Sequence, residues 1–180
     1  MKNKSIVFAV LLVGLFVMPS LALAQGQTSS GTLTVTATVQ SSISLTFITD
    51  TNGVALTGSG TNAATLAFGN VSQFTSPPPK VTETIGATSF TVSTPFDVAV
   101  VKSNVTSANY ALTAEVQTAD AVNSWKIDTF PLTVVPAAAT SLTVTGVYGT
   151  DVMHTLFLTI PFSAGATVIS NSINFVATAN

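Results

Sequence analysis

Residues 31–39 read Gly-Thr-Leu-Thr-Val-Thr-Ala-Thr-Val, with Leu33, Val35, Ala37 and Val39 alternating against threonine without interruption. A period of two puts all four apolar side chains on one face of an extended chain and the hydroxyls on the other, which predicts a strand with one buried and one wet face. The same period recurs further along. Ile43-Ser-Leu-Thr-Phe47 resumes it after a Gln40-Ser41-Ser42 break, Tyr110, Leu112, Ala114 and Val116 form one apolar row, and Leu156, Leu158, Ile160 and Phe162 form another. Further strands are expected at residues 65–68, 89–92, 96–101, 110–118, 125–128, 132–135, 141–147, 155–162 and 173–179.

The punctuation between these runs agrees with that reading. Asn52-Gly53 offers a tight hairpin turn, residues 57–64 read as loop, and Pro77-Pro78-Pro79, which lack N–H donors, predict an extended connection over 75–80. Pro136-Ala-Ala-Ala-Thr140 is too short for a helix that stands alone. Many short strands between turn signals mean an all-β sandwich or barrel, and no fixed repeat points to a propeller. An outer-membrane barrel needs aromatic girdles, for which Tyr110, Trp125 and Tyr148 are too few. An antiparallel β-sandwich is the expected fold.

The N-terminus sets the expected compartment. Lys2 and Lys4 precede an apolar run over residues 6–17, then Pro19 and Leu21-Ala-Leu-Ala24. That order predicts a signal peptide over 1–24, cleaved before Gln25, and no membrane span afterwards. The product would be secreted or held at the cell surface after passing through the periplasm. It would comprise an N-terminal extension over 25–41 and one sandwich over 42–180. With no cysteine in the chain, neither a lipid-bearing cysteine nor a disulfide is available, so packing and strand pairing must supply the stability.

Charge and motifs exclude more than they suggest. The exported part keeps Lys80, Lys102 and Lys126 against seven carboxylates, a net charge of −4, and has no arginine, so nucleic acid is not an expected partner. His154, the only histidine, lies near Asp151, but no nucleophile elbow accompanies it, and a surface position beside a turn is expected. Asp50-Thr-Asn52-Gly53 opens like a calcium loop but position 61 is threonine, not the closing glutamate. Glu115 and Asp128 could meet in space as a glycosidase pair, and Trp125 with Tyr110 and Tyr148 could stack on a sugar ring, but solvated acids and a core tryptophan are the expected state. No enzyme, catalytic residue, metal or cofactor is expected.

The segment 32–39, the Leu66-Ala-Phe-Gly69 strand end and the terminal Ile173-Asn-Phe-Val-Ala-Thr-Ala-Asn180 strand resemble bacterial chaperone–usher-type pilin subunits and the related spore-coat-U-like exported domains. The resemblance implies an incomplete Ig-like, pilin-like sandwich completed by strand exchange, each subunit lending its N-terminal strand to a neighbour. Leu33, Val35, Ala37 and Val39 would be the donor strand, and Ile173, Phe175 and Ala177 one wall of the acceptor groove. The expected partners are other copies or related subunits, with a periplasmic chaperone and usher, in a fimbrium-like fibre or a surface coat serving cell adhesion or structure. The chain departs from many such pilins in lacking cysteine and in having Ala179 before its final residue. Burying four such side chains contributes on the order of 5–8 kcal/mol, against a usual domain stability of about 5–15 kcal/mol. A strand worth that much is used, either to close its own domain or the next one. The competing expectation is a secreted carbohydrate-binding or adhesive module acting as a monomer.

Overall fold

The computed structural model describes residues 32–180, and Thr38–Asn180 form one compact unit. The expected signal peptide over 1–24 and the first residues of the extension lie outside the described residues. Among the described residues there is no helix long and apolar enough to cross a membrane. All regular elements among the described residues are strands: β1 (Ser42–Ile48), β2 (Thr82–Ile85), β3 (Ser89–Ser103), β4 (Asn109–Val116), β5 (Ser124–Ile127), β6 (Phe130–Pro131), β7 (Thr140–Val147), β8 (Asp151–Pro161) and β9 (Ile173–Ala179).

They form two antiparallel sheets. One has the order β1-β3-β8-β5-β6, with β2 also paired to β3 beyond the end of β1; the other is β7-β4-β9. Period-two alternation turns Phe96, Val98 and Val100 of β3, Leu156 of β8, and Tyr110, Leu112 and Ala114 of β4 inward, and these share one buried cluster with Leu56 and Ile127. A second cluster of Val81, Phe90, Val92, Leu158 and Ile160 fills the end of the large sheet that carries β2. The expected all-β sandwich class is the observed one.

Several elements differ from expectation. Residues 32–41 are in no strand, and Leu33, Val35 and Val39 are 86%, 80% and 72% exposed. The pattern at 32–39 is that of a strand, but the segment pairs with no other strand, so no ladder holds it. Residues 89–92 and 96–101, expected as two strands, are one fifteen-residue strand running through Pro95. Opposite Pro95, Thr155 directs its C=O to the Asp128 N–H and its own N–H to the Asp128 carboxylate, so Pro95–Thr155 is a non-hydrogen-bonded pair. The proline nitrogen therefore faces the other edge, in the gap between β1 and β2, and costs no ladder bond.

Residues 65–68 and 132–135 contribute single bridges, Thr57–Thr65 and Val116–Val134, rather than strands. At Asn52-Gly53 the chain does turn, with the Gly53 N–H donating to the Asp50 carbonyl, but it joins no hairpin. Glycine is required there because a Cβ would strike the Pro95 carbonyl. His154 is inside β8 and 4% exposed, not a surface residue.

Candidate functional site

The two long sides of the sandwich are closed differently. On one side the chain itself changes sheets. After β6 pairs with β5, the Leu132 N–H still reaches the Trp125 carbonyl, then Val116 of β4 donates to Thr133 and accepts from Val135. Backbone hydrogen bonds seal that side. On the other side β1 ends one sheet and β9 ends the other, and the two do not pair. A groove lies between them, lined by Ile43, Leu45 and Phe47 from β1, Ile173 and Phe175 from β9, and Asn62 from the loop after β1.

Local sequence explains both walls. Alternation in β1 sends Ile43, Leu45 and Phe47 inward and Ser42 and Ser44 outward. In β9, Ile173, Phe175 and Ala177 are the half-buried positions and pack against the main cluster, while Asn174, Val176 and Thr178 are exposed. Phe47 and Phe175 meet edge-to-face with ring centroids 5.1 Å apart, so the two walls touch at that level.

Both walls also present unused backbone. The Asn180 N–H donates to Asn109 and the Gln117 N–H to Ser172, which fixes the alternation between β4 and β9. The even-numbered residues of β9 therefore bond to β4, and the N–H and C=O groups of Ile173, Phe175, Ala177 and Ala179 point to the open edge. On β1 the Phe47 N–H and C=O face away from β3, where they bond to Thr61 and Gly60. By the same parity Ile43 and Leu45 direct their backbone groups into the groove. Edge strands with inward apolar side chains and free polar backbone are templates for another strand.

The three expected acceptor residues thus lie together on one face of one edge strand. The β1 wall was readable only as a strand, because the pairing that leaves its edge open joins residues 49 to 61 apart in the chain. The four expected donor residues have neither a strand partner nor a buried face.

The other residues weighed for chemistry have structural partners. The Nδ1 of His154 lies 2.7 Å from Asp128 Oδ2, and the Thr155 N–H donates to Oδ1 at 2.7 Å. Asp128 sits at φ +54° in the turn between β5 and β6, so this contact pins the turn to β8. Burial pushes the Asp128 carboxyl up, but the hydrogen bonds from His154 and Thr155 and the charge of His154 outweigh it and hold it below the ordinary carboxylate range. Glu115 lies in the other sheet, bonded to Gln117 and Asn174, so it does not form a pair with Asp128. Trp125 is half-buried against both clusters, and its indole N–H donates to Asp120 at 3.0 Å. Among the described residues no group of three histidines or carboxylates is placed to hold a metal ion. Compared with family models, curated proteins and solved structures, the chain matches none of them.

Proposed function

We propose that this protein is a structural subunit of an extracellular fibre or surface coat, Ig-like and pilin-like in plan, whose copies join by β-strand addition. Each subunit offers Leu33, Val35, Ala37 and Val39 as a donor strand and receives a strand in the groove walled by Ile173, Phe175 and Ala177. The observation that carries the reading is the open side between β1 and β9, where apolar side chains and unpaired backbone groups face the same space. Support comes from the extension, whose apolar row is exposed over the length that such a groove takes. Hydrophobic burial and main-chain hydrogen bonds are the forces by which added strands bind.

Deleting residues 25–40 tests it. Size exclusion and negative-stain microscopy of the exported protein should show rods or large assemblies for the intact chain and single particles for the truncated one. A peptide of residues 31–39 added to the truncated chain should raise its melting temperature. Assemblies unchanged by the deletion would sink the proposal.

A further inference from the structure

Both carboxylate oxygens of Glu83 are sealed from solvent, and neither has a hydrogen-bond or ionic partner among the described residues. Pairing puts them there. Glu83 lies opposite Val92, a fully buried residue of β3, and directly paired side chains share one face of a sheet. On that face Val81, Phe90 and Val92 belong to the second cluster, with Phe68, Val71 and Ile169 packed against it. In either protonation state the carboxyl has given up its bonds to water and gained none in return. The cost is uncompensated.

The strand that carries this cost is weakly held. The Gly86 N–H donates to the Ser89 carbonyl at 2.8 Å, which fixes the alternation of the β2–β3 hairpin. Thr84–Thr91 and Thr82–Ser93 are then the hydrogen-bonded pairs of β2, while Glu83 and Ile85 turn their backbone groups to its free edge. Of the residues between Lys80 and Gly86, only Val81 is buried; Thr82, Thr84 and Ile85 are exposed. Lys80 itself sits at φ +65°, a left-handed conformation unfavourable for lysine, and the Thr94 hydroxyl donates to its carbonyl at 2.9 Å. One buried valine and two hydrogen-bonded pairs thus oppose a partnerless carboxyl and a strained hinge.

We infer that residues 81–85 are a strap that swings off β3 about Lys80 and Gly86 while the rest of the sandwich stays folded. Opening returns the Glu83 carboxyl to water, lets Lys80 leave the left-handed region and frees the backbone groups of Thr91 and Ser93. Beyond the end of β1, then, β3 has a stretch of edge that is covered in the closed form and bare in the open one. Elements with few apolar contacts open at a fraction of the global unfolding free energy.

β3 supplies its own control. Because Pro95–Thr155 is a non-hydrogen-bonded pair, the amides of Val92 and Thr94 bond to β8 and those of Thr91 and Ser93 to β2. Amide exchange of the full chain is followed residue by residue by NMR at neutral pH. Thr91 and Ser93 should exchange about tenfold or more faster than Val92 and Thr94, one strand showing two rates in alternation. Glu83→Met, an apolar side chain of similar length, should slow Thr91 and Ser93 about tenfold or more and raise the melting temperature. Glu83→Gln keeps the shape and removes the acid, which guards against overpacking by the methionine; slowing in either variant supports the strap. Equal rates for the four amides in the wild type would overturn it, because β2 would then leave only when the whole sandwich unfolds. Unchanged or faster exchange in both variants would also overturn it, because the carboxyl would not be what loosens the strand.

Discussion

An alanine at position 146 would set its Cβ against three atoms of the Tyr110 ring, a fully buried side chain. The clash has a structural origin. Tyr110 pairs with Gly146 next to an irregularity in the β4–β7 register, and the ring lies flat over the missing side chain. Relief would require Tyr110 to leave its place beside Tyr148, whose ring centroid is 5.3 Å away. Overpacking of this kind costs about 1–3 kcal/mol, so Gly146→Ala should lower the melting temperature by several degrees, measured by calorimetry. Gly165→Ala, where an added Cβ has nothing within 4 Å, is the matched control and should leave it nearly unchanged. Equal effects from the two would mean that the Tyr110 contact is not what holds position 146 to glycine.

At the scale of elements, the β5–β6 turn is held to β8 by Asp128 and so carries an acid-sensitive tie. A carboxylate held below its ordinary pKa contributes stability that is present above the unfolded value, near pH 3.9, and is lost as pH falls through the folded one. Acid unfolding of the wild type below about pH 4 should therefore be steeper than that of Asp128→Asn. At neutral pH the variant should lose about 1–2 kcal/mol, modest because the carboxylate is a third exposed. Identical pH dependence in urea titrations of both would show that the tie contributes nothing. This contact also marks where sequence reading ends. His154 and Asp128 are twenty-six residues apart, and only the β5–β8 pairing brings them together. Strands β4 and β9 were legible because period-two burial is written in their side chains. β2 was not, because Thr82-Glu-Thr-Ile85 sets its one half-buried side chain, a glutamate, between threonines and leaves Ile85 exposed, so no apolar row marks it. β3 looked like two strands because Pro95 interrupts it, and the partner that makes the proline harmless lies sixty residues on. The β9 wall of the groove was legible for the same reason as its strand. The openness of the groove was not, because an unpaired edge is a property of topology.

For the whole molecule, the scarcity of charge governs how subunits would hold together. No ionisable side chain lines the groove, and residues 31–39 carry none. Association through this surface draws on apolar burial and main-chain hydrogen bonds, neither of which is screened by simple salt, whereas exposed ion pairs weaken as the Debye length shrinks from about 10 Å at 0.1 M to about 3 Å at 1 M. Raising NaCl across that range should leave the assembled fraction unchanged in sedimentation. Ammonium sulfate, excluded from protein surface, should increase it, and urea, which solvates apolar and peptide groups alike, should reduce it. Assemblies that dissolve in 1 M NaCl would instead point to contacts among the lysines and the scattered carboxylates, all of them outside the groove lining. Were subunits to join at the open edges of β1 and β9, where no charged side chain lies, apolar contact and main-chain hydrogen bonds would be the forces that these titrations report.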